Sequence, residues 1–402
     1  MPRLVAEKGP EEGKDFEIGD KVSIGRRSEN EIPIRDIGAS RVHAEVFREE
    51  DDFYIRDLKS RNGTLVNGEP ISECRLNPGD RITIGNTVLA FTFEAPKSKW
   101  VGKTLEGYEI VEFLGKGGMG SVYKARQISM ERFISLKILN EKLVANKEFI
   151  ERFLQEAKAA GRLNHPNIIQ VIDVAMSDGT YFFSMEYVDG PTVSRILKKQ
   201  KDLPIDETLE FIFPMAEALH YAHRNSLIHR DVKPDNIMIN SDGQVKLADL
   251  GLARNPDEDM VDLINGKRIV WGTPTFMSPE QAMGNKLDGR SDLYSLGATW
   301  YQMLAAVPPY SGSTGPEIMQ QHINAPLPSL LMRNAEVPLE VCAMVEKLLN
   351  KNPDDRYQSG EELAAEIRSY RRQLRSRRKD TPTNSPGLIK RLVSDSTLFR
   401  RS

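Results

Sequence analysis

The first part of the chain, up to about residue 95, alternates short runs rich in Val, Ile, Phe and Thr with turn-forming dipeptides. Such runs are typical of β-strands, because branched and aromatic side chains pack well on a pleated sheet. Asn62-Gly63 and Asn67-Gly68 suit hairpin turns, since both residue types accept positive φ angles. Because no helical period is present, residues 1–95 are predicted to form an all-β sandwich. The predicted strands lie at 21–24, 42–47, 53–55, 81–84 and 88–93.

The hydrophobic pattern changes after residue 106. Strand-like runs continue to residue 186, interrupted by one stretch with a helical period at 147–163. Beyond residue 190, apolar residues recur at the i, i+3, i+4 spacing of helices. A small β-rich lobe (107–188) followed by a larger helical lobe (189–372) predicts a bilobal α+β domain with a cleft, where ligands commonly bind. The predicted helices lie at 206–224, 291–304, 339–349 and 360–372.

Two stretches show neither period. Residues 96–106 contain Pro, Gly and Lys and are predicted to form a linker. Residues 373–402 are basic and contain Ser, Thr and two prolines, which is typical of a flexible tail. A short apolar segment at 388–393 leaves docking onto another surface as the alternative to a solvated tail.

The composition narrows the class of function. The 402 residues carry a net charge of −3, which argues against a dominant nucleic-acid or membrane-surface partner. Cys74 and Cys342 are too far apart to suggest a disulfide framework or a metal site, so a reducing cytoplasm is expected. No apolar stretch is long enough for a membrane span, and the N-terminus lacks the apolar core of a secretory signal.

The run 115–122 (GKGGMGSV) is rich in glycine and lies between two strand-like runs. Glycines let a backbone close over triphosphate oxygens and direct N–H groups at them. A Rossmann dinucleotide-binding motif is the main alternative, but it needs a helix directly after the glycines. Residues 121–125 continue as a strand instead, which favours a phosphate-covering hairpin.

Lys137 is the lone charged residue of the apolar run 134–139. A buried lysine without an anion is costly, so Lys137 is expected to face the α- and β-phosphates of a nucleotide. An exposed strand lysine is the simpler alternative. Glu156 argues against it, because Glu156 lies on the interior face of the helix predicted at 147–163, and an inward carboxylate needs a cation.

The strongest chemical pattern is the octapeptide His-Arg-Asp-Val-Lys-Pro-Asp-Asn at 229–236. Asp231 can accept a hydrogen bond from a substrate hydroxyl, Lys233 can neutralise a moving phosphoryl group, and Asn236 offers a neutral oxygen to a metal. Asp249 follows a β-type run at 245–248 and is suited to hold Mg²⁺ between the β- and γ-phosphates.

In this order, and with Ser278-Pro279-Glu280 downstream, these motifs resemble the signature set of bacterial-type serine/threonine protein kinases, over about residues 108–372. The resemblance implies an ATP- and Mg²⁺-dependent transfer of the γ-phosphoryl group to Ser or Thr hydroxyls of proteins. It implies a catalytic group of Asp231, Lys233, Asn236, Lys137 and Glu156, with Asn236 and Asp249 on the metal. The nucleotide-binding residues that it implies are Gly115, Lys116, Gly117, Gly118, Gly120, Val122, Ser135, Lys137, Met185, Glu186, Val188 and Met238.

Three further expectations follow from the same resemblance. Gly272-Thr273-Pro274 would receive the substrate residue that follows the acceptor hydroxyl. Glu280 and Arg356 would form a buried ion pair in the helical lobe, and Asp292 would support the catalytic loop from a central helix.

Several threonines are candidate phosphorylation sites. Thr273 and Thr275 lie in the predicted activation loop, where a phosphate would pair with Arg230. The resemblance also makes Thr273 a structural residue that bonds the catalytic loop. The acidic stretch 255–262 contains neither Ser nor Thr. The candidates in the tail are Thr381, Thr383 and Thr397.

Three predicted loops of the first 95 residues combine arginines with Ser and Asn donors. Arginine clusters bind phosphate through bidentate hydrogen bonds. The set resembles the forkhead-associated domain over about residues 3–93, which implies that phosphothreonine contacts Arg26, Ser40, Arg41 and Asn62. Gly25 and His43 are expected to support the loops. A β-sandwich without a phosphate site is the alternative.

Three functions remain open on sequence: an active kinase with its own phosphothreonine-binding domain, a scaffold with an inert kinase fold, and a small-molecule kinase. Ser135 replaces the usual alanine and Leu250 the usual phenylalanine, but no catalytic charge is lost, which disfavours the scaffold. The peptide-positioning segment 272–280 disfavours the small-molecule kinase. The expected partners are protein substrates and phosphothreonine-containing proteins, or the chain's own phosphorylated segments, bound in cis or between two molecules of a dimer.

Overall fold

The computed structural model describes residues 2–49, 52–93, 100–116, 120–140, 157–177, 179–200, 203–249, 261–264, 267–270, 272–312 and 314–378, together with residues 144, 150 and 154. The chain divides into two compact units, Met1–Val101 and Gly102–Ser402. Within the described ranges, no helix is long and apolar enough to cross a membrane.

The first unit is built from two β-sheets around one core. One sheet has the strand order β2-β1-β11-β10-β7-β8 and the other β4-β3-β5-β6-β9. Leu4, Ile82 and Phe91 from the first sheet share a buried cluster with Ile24 and Ile55 from the second, so the two sheets pack face to face. The strands are β1 (Pro2–Lys8), β2 (Asp15–Glu17), β3 (Lys21–Gly25), β4 (Ile32–Pro33), β5 (Ala44–Glu49), β6 (Asp52–Asp57), β7 (Thr64–Val66), β8 (Glu69–Ile71), β9 (Glu73–Leu76), β10 (Arg81–Ile84) and β11 (Thr87–Phe93).

The predicted all-β sandwich is therefore confirmed, with one local difference. The strand predicted at 42–47 begins at Ala44 in the structure. Residues 40 and 41 instead accept backbone hydrogen bonds from Arg26 and Arg27, which makes them part of a loop crossing the end of β3.

The second unit begins with a six-stranded antiparallel sheet in the order β12-β13-β14-β15-β17-β16. Its strands are β12 (Thr104–Leu105), β13 (Tyr108–Lys116), β14 (Gly120–Gln127), β15 (Arg132–Leu139), β16 (Val171–Ser177) and β17 (Thr180–Glu186). The predicted linker 96–106 thus includes a strand, because Leu105 is buried and pairs with Tyr108. Of the helix predicted at 147–163, residues 150, 154 and 157–161 are described and helical, whereas residues 162 and 163 are described and lie beyond its end.

Helices form most of the remainder. They are α1 (Val193–Gln200), α2 (Ile205–Arg224), α3 (Pro279–Ala282), α4 (Gly289–Ala305), α5 (Gly315–Asn324), α6 (Leu330–Arg333), α7 (Leu339–Leu348) and α8 (Gly360–Arg378). Two short hairpins join β18 (Ile237–Ile239) to β19 (Val245–Leu247), and β20 (Val261–Ile264) to β21 (Lys267–Val270). A β-rich lobe followed by a helical lobe is the α+β architecture that the sequence predicts.

Helix α4 is the centre of the helical lobe and is buried along most of its length. Trp300 on α4 donates an indole hydrogen bond of 2.8 Å to Thr208 on α2. Gly297 lets α7 approach, since a Cβ atom at this position would lie 2.6 Å from the Cβ of Leu348. The Asp288 side chain caps α4 by accepting from the Arg290 amide.

Helix α8 continues to Arg378, beyond the end predicted at residue 372, so the predicted tail 373–402 starts as helix. Leu374 extends the apolar stripe of Leu363, Ile367 and Tyr370 and packs against the same core, which explains the extra turns. The rest of the tail lies outside the described residues.

The predicted pair of Glu280 and Arg356 is confirmed as a buried bidentate ion pair. The two guanidinium nitrogens Nη1 and Nη2 lie 2.7 and 2.8 Å from the two carboxylate oxygens. Arg356 also donates to three backbone carbonyls, and Ser291 donates to Glu280 at 2.6 Å. Both charges are therefore fully hydrogen-bonded, which buried charges require.

Replacing Arg356 with Met is expected to lower the free energy of unfolding of the second unit by about 3–5 kcal/mol, because the Glu280 carboxylate remains buried without a partner. Denaturant titration of the full chain measures this change. Arg368→Met, which breaks a pair with Glu217 on the surface, serves as the control and should cost at most about 1 kcal/mol. Equal losses in the two variants would contradict the prediction.

Candidate functional site

The segment 229–236 follows α2 and is hydrogen-bonded to a side chain of α4. Asp292 is 0% exposed, and its carboxylate accepts from the backbone amides of His229 and Arg230, each at 2.8 Å, and contacts His223 Nε2 at 2.7 Å. Burial alone would raise the pKa of Asp292, but His223 and the backbone donors outweigh it and keep this pKa below its usual value. The predicted support of the catalytic loop by Asp292 is confirmed.

This support forces an unusual backbone conformation. Arg230 has a φ of 67°, in the left-handed region, where a non-glycine residue costs about 1–3 kcal/mol. Its carbonyl accepts a hydrogen bond of 2.8 Å from Gln281 of α3, so the peptide units on both sides of the strained residue are fixed. The next residue, Asp231, is thereby held in one orientation.

The Asp231 carboxylate contacts two other predicted catalytic residues and one threonine. Lys233 Nζ lies 2.7 Å from Oδ2, and Asn236 donates to the same oxygen at 3.1 Å. Thr273 donates to Oδ1 through its hydroxyl at 2.8 Å and through its amide at 3.1 Å. Lys233 also donates to the Thr273 hydroxyl at 2.6 Å. The expectation that Thr273 bonds the catalytic loop is confirmed, and its hydroxyl already has two partners.

Lys137 on β15 forms an ion pair with Asp249, which lies two residues after the end of β19, so this pair joins the two lobes. The Lys137 side chain is 8% exposed and that of Asp249 43%. Burial alone would raise the pKa of Asp249, but the charge of Lys137, together with His229 and Lys233, lowers it below its usual value. Asp249 also has a positive φ, of 60°. Glu156, the partner predicted for Lys137, lies outside the described residues.

Asn236 and Asp249 are brought together by backbone hydrogen bonds. The amide of Ala248 donates to the Asn236 carbonyl at 2.7 Å, and His229 Nε2 donates to the Ala248 carbonyl at 2.9 Å. Their side-chain oxygens are the ligand type that Mg²⁺ prefers, and Mg²⁺ commonly takes one or two protein ligands beside phosphate and water. In the described part of the chain, no group of three or more His, Cys, Asp or Glu side chains is placed to hold a metal. The pair therefore fits Mg²⁺ bound together with a nucleotide.

Most of the predicted nucleotide-binding residues lie on β13, β14, β15 and β17. Gly115 pairs with Val122, and Ser135 with Met185. A Cβ atom at Gly120 would lie 2.1 Å from the Ile138 carbonyl oxygen, so this glycine is required by the close approach of β15. Lys116 is on β13, Val188 follows β17, and Met238 is on β18. Gly117 and Gly118 lie outside the described residues.

Lys246 contacts a predicted site residue, and the sequence analysis did not point to it. Its Nζ lies 2.7 Å from the carboxylate of Glu186, the residue predicted to meet adenine. The pair ties the end of β17 to β19, which leads to Asp249. The signal was present, because Lys246 is a lone charge between Val245 and Leu247, as Lys137 is in its own strand.

In the first unit, the three arginine-containing loops are bonded to one another. Arg26 N donates to the Ser40 carbonyl at 2.9 Å, Arg61 N donates to the Ser40 hydroxyl at 3.0 Å, and Asn62 donates to the Gly38 carbonyl at 2.8 Å. Arg26, Arg41 and Asn62 are exposed and Ser40 is half-buried. Charged and polar donors thus share one rim of the sandwich, as an anion site requires.

The supporting roles predicted for His43 and Gly25 are confirmed. His43 is 0% exposed; its Nδ1 accepts from the Ser40 amide at 3.0 Å, and its Nε2 donates to the Gly63 carbonyl at 3.1 Å. A Cβ atom at Gly25 would lie 2.5 Å from the Arg41 carbonyl oxygen. Both residues fix the spacing of the loops that carry the arginines.

The two activation-loop threonines differ in their surroundings. Thr275 is half-buried, and its carbonyl accepts a hydrogen bond of 3.0 Å from His322 Nε2 on α5. Nothing in the sequence analysis pointed to His322. Thr381, Thr383 and Thr397 lie outside the described residues.

Known proteins resemble both units. The family model for the protein kinase domain matches residues 108–367, and that for the FHA domain matches residues 22–85. A probable serine/threonine-protein kinase of Clostridium perfringens is 36% identical over 273 residues, 68% of this chain but 39% of that protein, so the chain spans well under two thirds of this relative. The crystal structure of the Mycobacterium tuberculosis PknI kinase domain has a TM-score of 0.55 at 31% identity and covers 67% of this chain and 97% of its own. The structure of Rad53 1–466 with AMP-PNP has a TM-score of 0.55 at 22% identity, covers 91% of this chain and 99% of its own, and shows likeness of fold alone.

The stability of the first unit is expected to fall with pH below about 6.5, because burial lowers the pKa of His43 and the unfolded chain binds the proton more tightly. His43 is the sole histidine of residues 1–101, so a His43→Gln variant should lose this part of the pH slope. Amide hydrogen exchange in β5 and β6 of the full chain between about pH 5 and 7 measures it. The same slope in both proteins would refute the assignment.

Proposed function

This chain belongs to the protein kinase family and carries an FHA domain ahead of its kinase domain, and from this premise we propose that it is a serine/threonine protein kinase. It transfers the γ-phosphoryl group of ATP to Ser and Thr hydroxyls of proteins. The observation that carries the proposal is the Asp231 carboxylate, whose two oxygens are shared by Lys233, Asn236 and Thr273 next to the Lys137–Asp249 pair.

Asp231 and Lys233 act at the acceptor. Asp231 accepts a hydrogen bond from the substrate hydroxyl, orients its oxygen for attack and takes its proton. A bond forms between that oxygen and the γ-phosphorus, while the bond to the β–γ bridging oxygen breaks and ADP leaves. Lys233 lies beside the carboxylate and balances negative charge on the phosphoryl group during the transfer.

Lys137, Asp249 and Asn236 act at the donor. Lys137 binds the α- and β-phosphates, with Glu156 as its further partner in the active arrangement. Asp249 and Asn236 would hold Mg²⁺, which supplies neutralisation of the phosphate charge when it is bound. Lys137, His229 and Lys233 hold the pKa of Asp249 below its usual value despite its burial, so this carboxylate is ionised at neutral pH.

The nucleotide base and phosphates are bound mainly by residues of the β-rich lobe. The backbone at Glu186 and Val188 meets adenine, and Val122, Ser135 and Met238 enclose its ring. The remaining contacts are assigned to Gly115, Lys116, Gly117, Gly118, Gly120 and Met185. The Lys246–Glu186 pair supports this assignment, because it fixes the segment on which adenine is bound.

The FHA domain supplies a second activity, the binding of phosphothreonine. Arg26, Ser40, Arg41 and Asn62 line one exposed rim, and hydrogen bonds between the loops hold it in place, as bidentate phosphate recognition requires. The phosphate comes from a different phosphorylated protein that is recruited as a substrate, or from the chain itself in cis or within a dimer. A tethered phosphothreonine has a high effective concentration, which makes self-binding efficient even at weak intrinsic affinity.

Five threonines are the proposed sources of such self-binding: Thr273, Thr275, Thr381, Thr383 and Thr397. Thr273 is less accessible to phosphorylation than Thr275, because the hydroxyl of Thr273 is already hydrogen-bonded to Asp231 and Lys233. The activity is placed in the cytoplasm, where ATP is available.

Asp231→Asn and Asp249→Asn are each expected to lower kcat by about 10²–10⁴-fold, because one removes the acceptor of the substrate proton and the other a charged metal ligand. Transfer of radiolabelled phosphate to a generic basic protein measures the loss, and circular dichroism checks the fold. Asp242→Asn, an exposed aspartate in the β18–β19 turn, is the matched control. Wild-type turnover in either folded site variant would rule out the role assigned to that residue. Absence of turnover in the folded wild-type chain would favour the inert scaffold.

Arg26→Ala combined with Asn62→Ala should weaken the binding of phosphothreonine peptides at least tenfold, since charge-assisted hydrogen bonds to phosphate are lost. The assay uses Asp231→Asn protein without ATP, so that the protein does not phosphorylate itself. This protein is titrated with phosphopeptides centred on Thr275, Thr381, Thr383 and Thr397. Arg75→Ala, on the far strand β9, is the control. Binding that persists after phosphatase treatment, or in the double variant, would contradict the site. Binding by phosphopeptides of other proteins only would favour recruitment over self-binding.

A further inference from the structure

A buried hydrogen-bonded chain runs from α4 through α5 to the segment that would receive the substrate. His322 on α5 is 0% exposed, as is Tyr294 on α4. Tyr294 Oη lies 2.9 Å from His322 Nδ1, and His322 Nε2 lies 3.0 Å from the Thr275 carbonyl oxygen. A carbonyl oxygen can only accept, so Nε2 carries a hydrogen and donates it.

The protonation states fix the direction of the chain. Burial and the neighbouring Lys351 lower the pKa of His322 to about 4, and burial raises the pKa of Tyr294 well above its usual value. At neutral pH the imidazole is therefore neutral, its Nδ1 is an acceptor, and the Tyr294 hydroxyl donates to it. No other arrangement of hydrogens satisfies all three buried groups.

The imidazole has little freedom to move. The rings of Tyr294 and Tyr310 contact it edge-on, with centroid distances of 5.6 and 4.8 Å. Lys351 donates to the His322 carbonyl at 2.6 Å and to the Tyr310 hydroxyl at 2.8 Å. At the other end of α5, a Cβ atom on Gly315 would lie 3.2 Å from Pro274 Cγ. Helix α5 is thus in close contact with the turn Pro274–Phe276 at both of its ends.

The same turn is bonded to the active site on its opposite side. Thr273 donates through its hydroxyl and its amide to Asp231, whereas the Thr275 carbonyl accepts from His322. Thr273 and Thr275 are two residues apart, so hydrogen bonds on two opposite sides hold the short segment that they bound. Loss of the His322 bond would leave a carbonyl without its buried donor and release one of these two attachments.

We propose that His322 is a positioning residue for the protein substrate: by holding the Thr275 carbonyl, it sets where segment 272–275 receives the residue that follows the acceptor hydroxyl. Tyr294 orients His322 for this role. The inference rests on the proposed kinase activity and extends it to the selection of the substrate.

Steady-state kinetics of the full chain test the proposal, with a set of serine peptides that differ only at the residue after the acceptor. His322→Phe keeps a ring of similar size but removes both hydrogen bonds. It should lower kcat/KM for peptide about tenfold, mainly through KM, flatten the preference at that position, and leave KM for ATP unchanged. His322→Gln should restore most of the loss, because an amide can donate to the carbonyl and accept from Tyr294.

Tyr294→Phe should show a smaller effect in the same direction, and Tyr301→Phe, a buried tyrosine on the same helix α4, should behave as wild type. Failure of the wild-type chain to phosphorylate any peptide would overturn the proposed kinase activity instead. With an active wild type, an unchanged peptide KM and preference in His322→Phe would overturn the positioning role. Parallel losses for ATP and peptide, or a Gln variant no better than Phe, would do the same. Should His322→Phe fail to fold, Tyr294→Phe decides, and wild-type peptide kinetics in that variant would overturn the proposal.

Discussion

The buried carboxylate of Asp292 is the constraint on which the candidate active site depends. It accepts from two consecutive backbone amides of the catalytic loop and so holds Arg230 in a left-handed conformation that the residue would not adopt alone. Because the next residue is Asp231, the strain is converted into a fixed orientation of the carboxylate that would bind the substrate hydroxyl. The surrounding packing of α4, which is among the most buried elements of the lobe, keeps Asp292 in place.

The same physical arrangement occurs in both units. One unit would use it to bind phosphate and the other to transfer it. In each, a buried imidazole braces loops whose exposed or cleft-facing charges would bind phosphate: His43 in the sandwich, and His229 beside Asp249 in the kinase domain. A buried imidazole suits this role, because one ring nitrogen can donate to a backbone carbonyl while the other accepts from a backbone amide. In the sandwich, the arginines that would bind phosphate stay exposed, where water stabilises their charge until phosphate arrives.

The sequence predicted what depends on local pattern and on complete motifs. Five of the eleven strands of the sandwich, the main helices, the pair of Glu280 with Arg356 and the support by Asp292 all followed from it. It did not predict the contact of Lys137 with Asp249, the pairing of Lys246 with Glu186, or the role of His322. Each of these depends on a partner more than forty positions away or in the other lobe, and packing alone brings such partners together. The extension of α8 depends on a single leucine, Leu374, that packs against the core. The surrounding stretch is strongly basic, so this one apolar position did not show as a helical period in the sequence.

The central claim is that both phosphate-handling units belong to a chain that phosphorylates Ser and Thr. The most direct measurement incubates the full chain with γ-labelled ATP and Mg²⁺, with and without a generic basic protein, and analyses the labelled amino acids after acid hydrolysis. Label on phosphoserine and phosphothreonine, dependent on Mg²⁺ and absent from phosphotyrosine, is the result that this structure predicts. Transfer to no protein, or label confined to tyrosine or to a small-molecule acceptor, would contradict it.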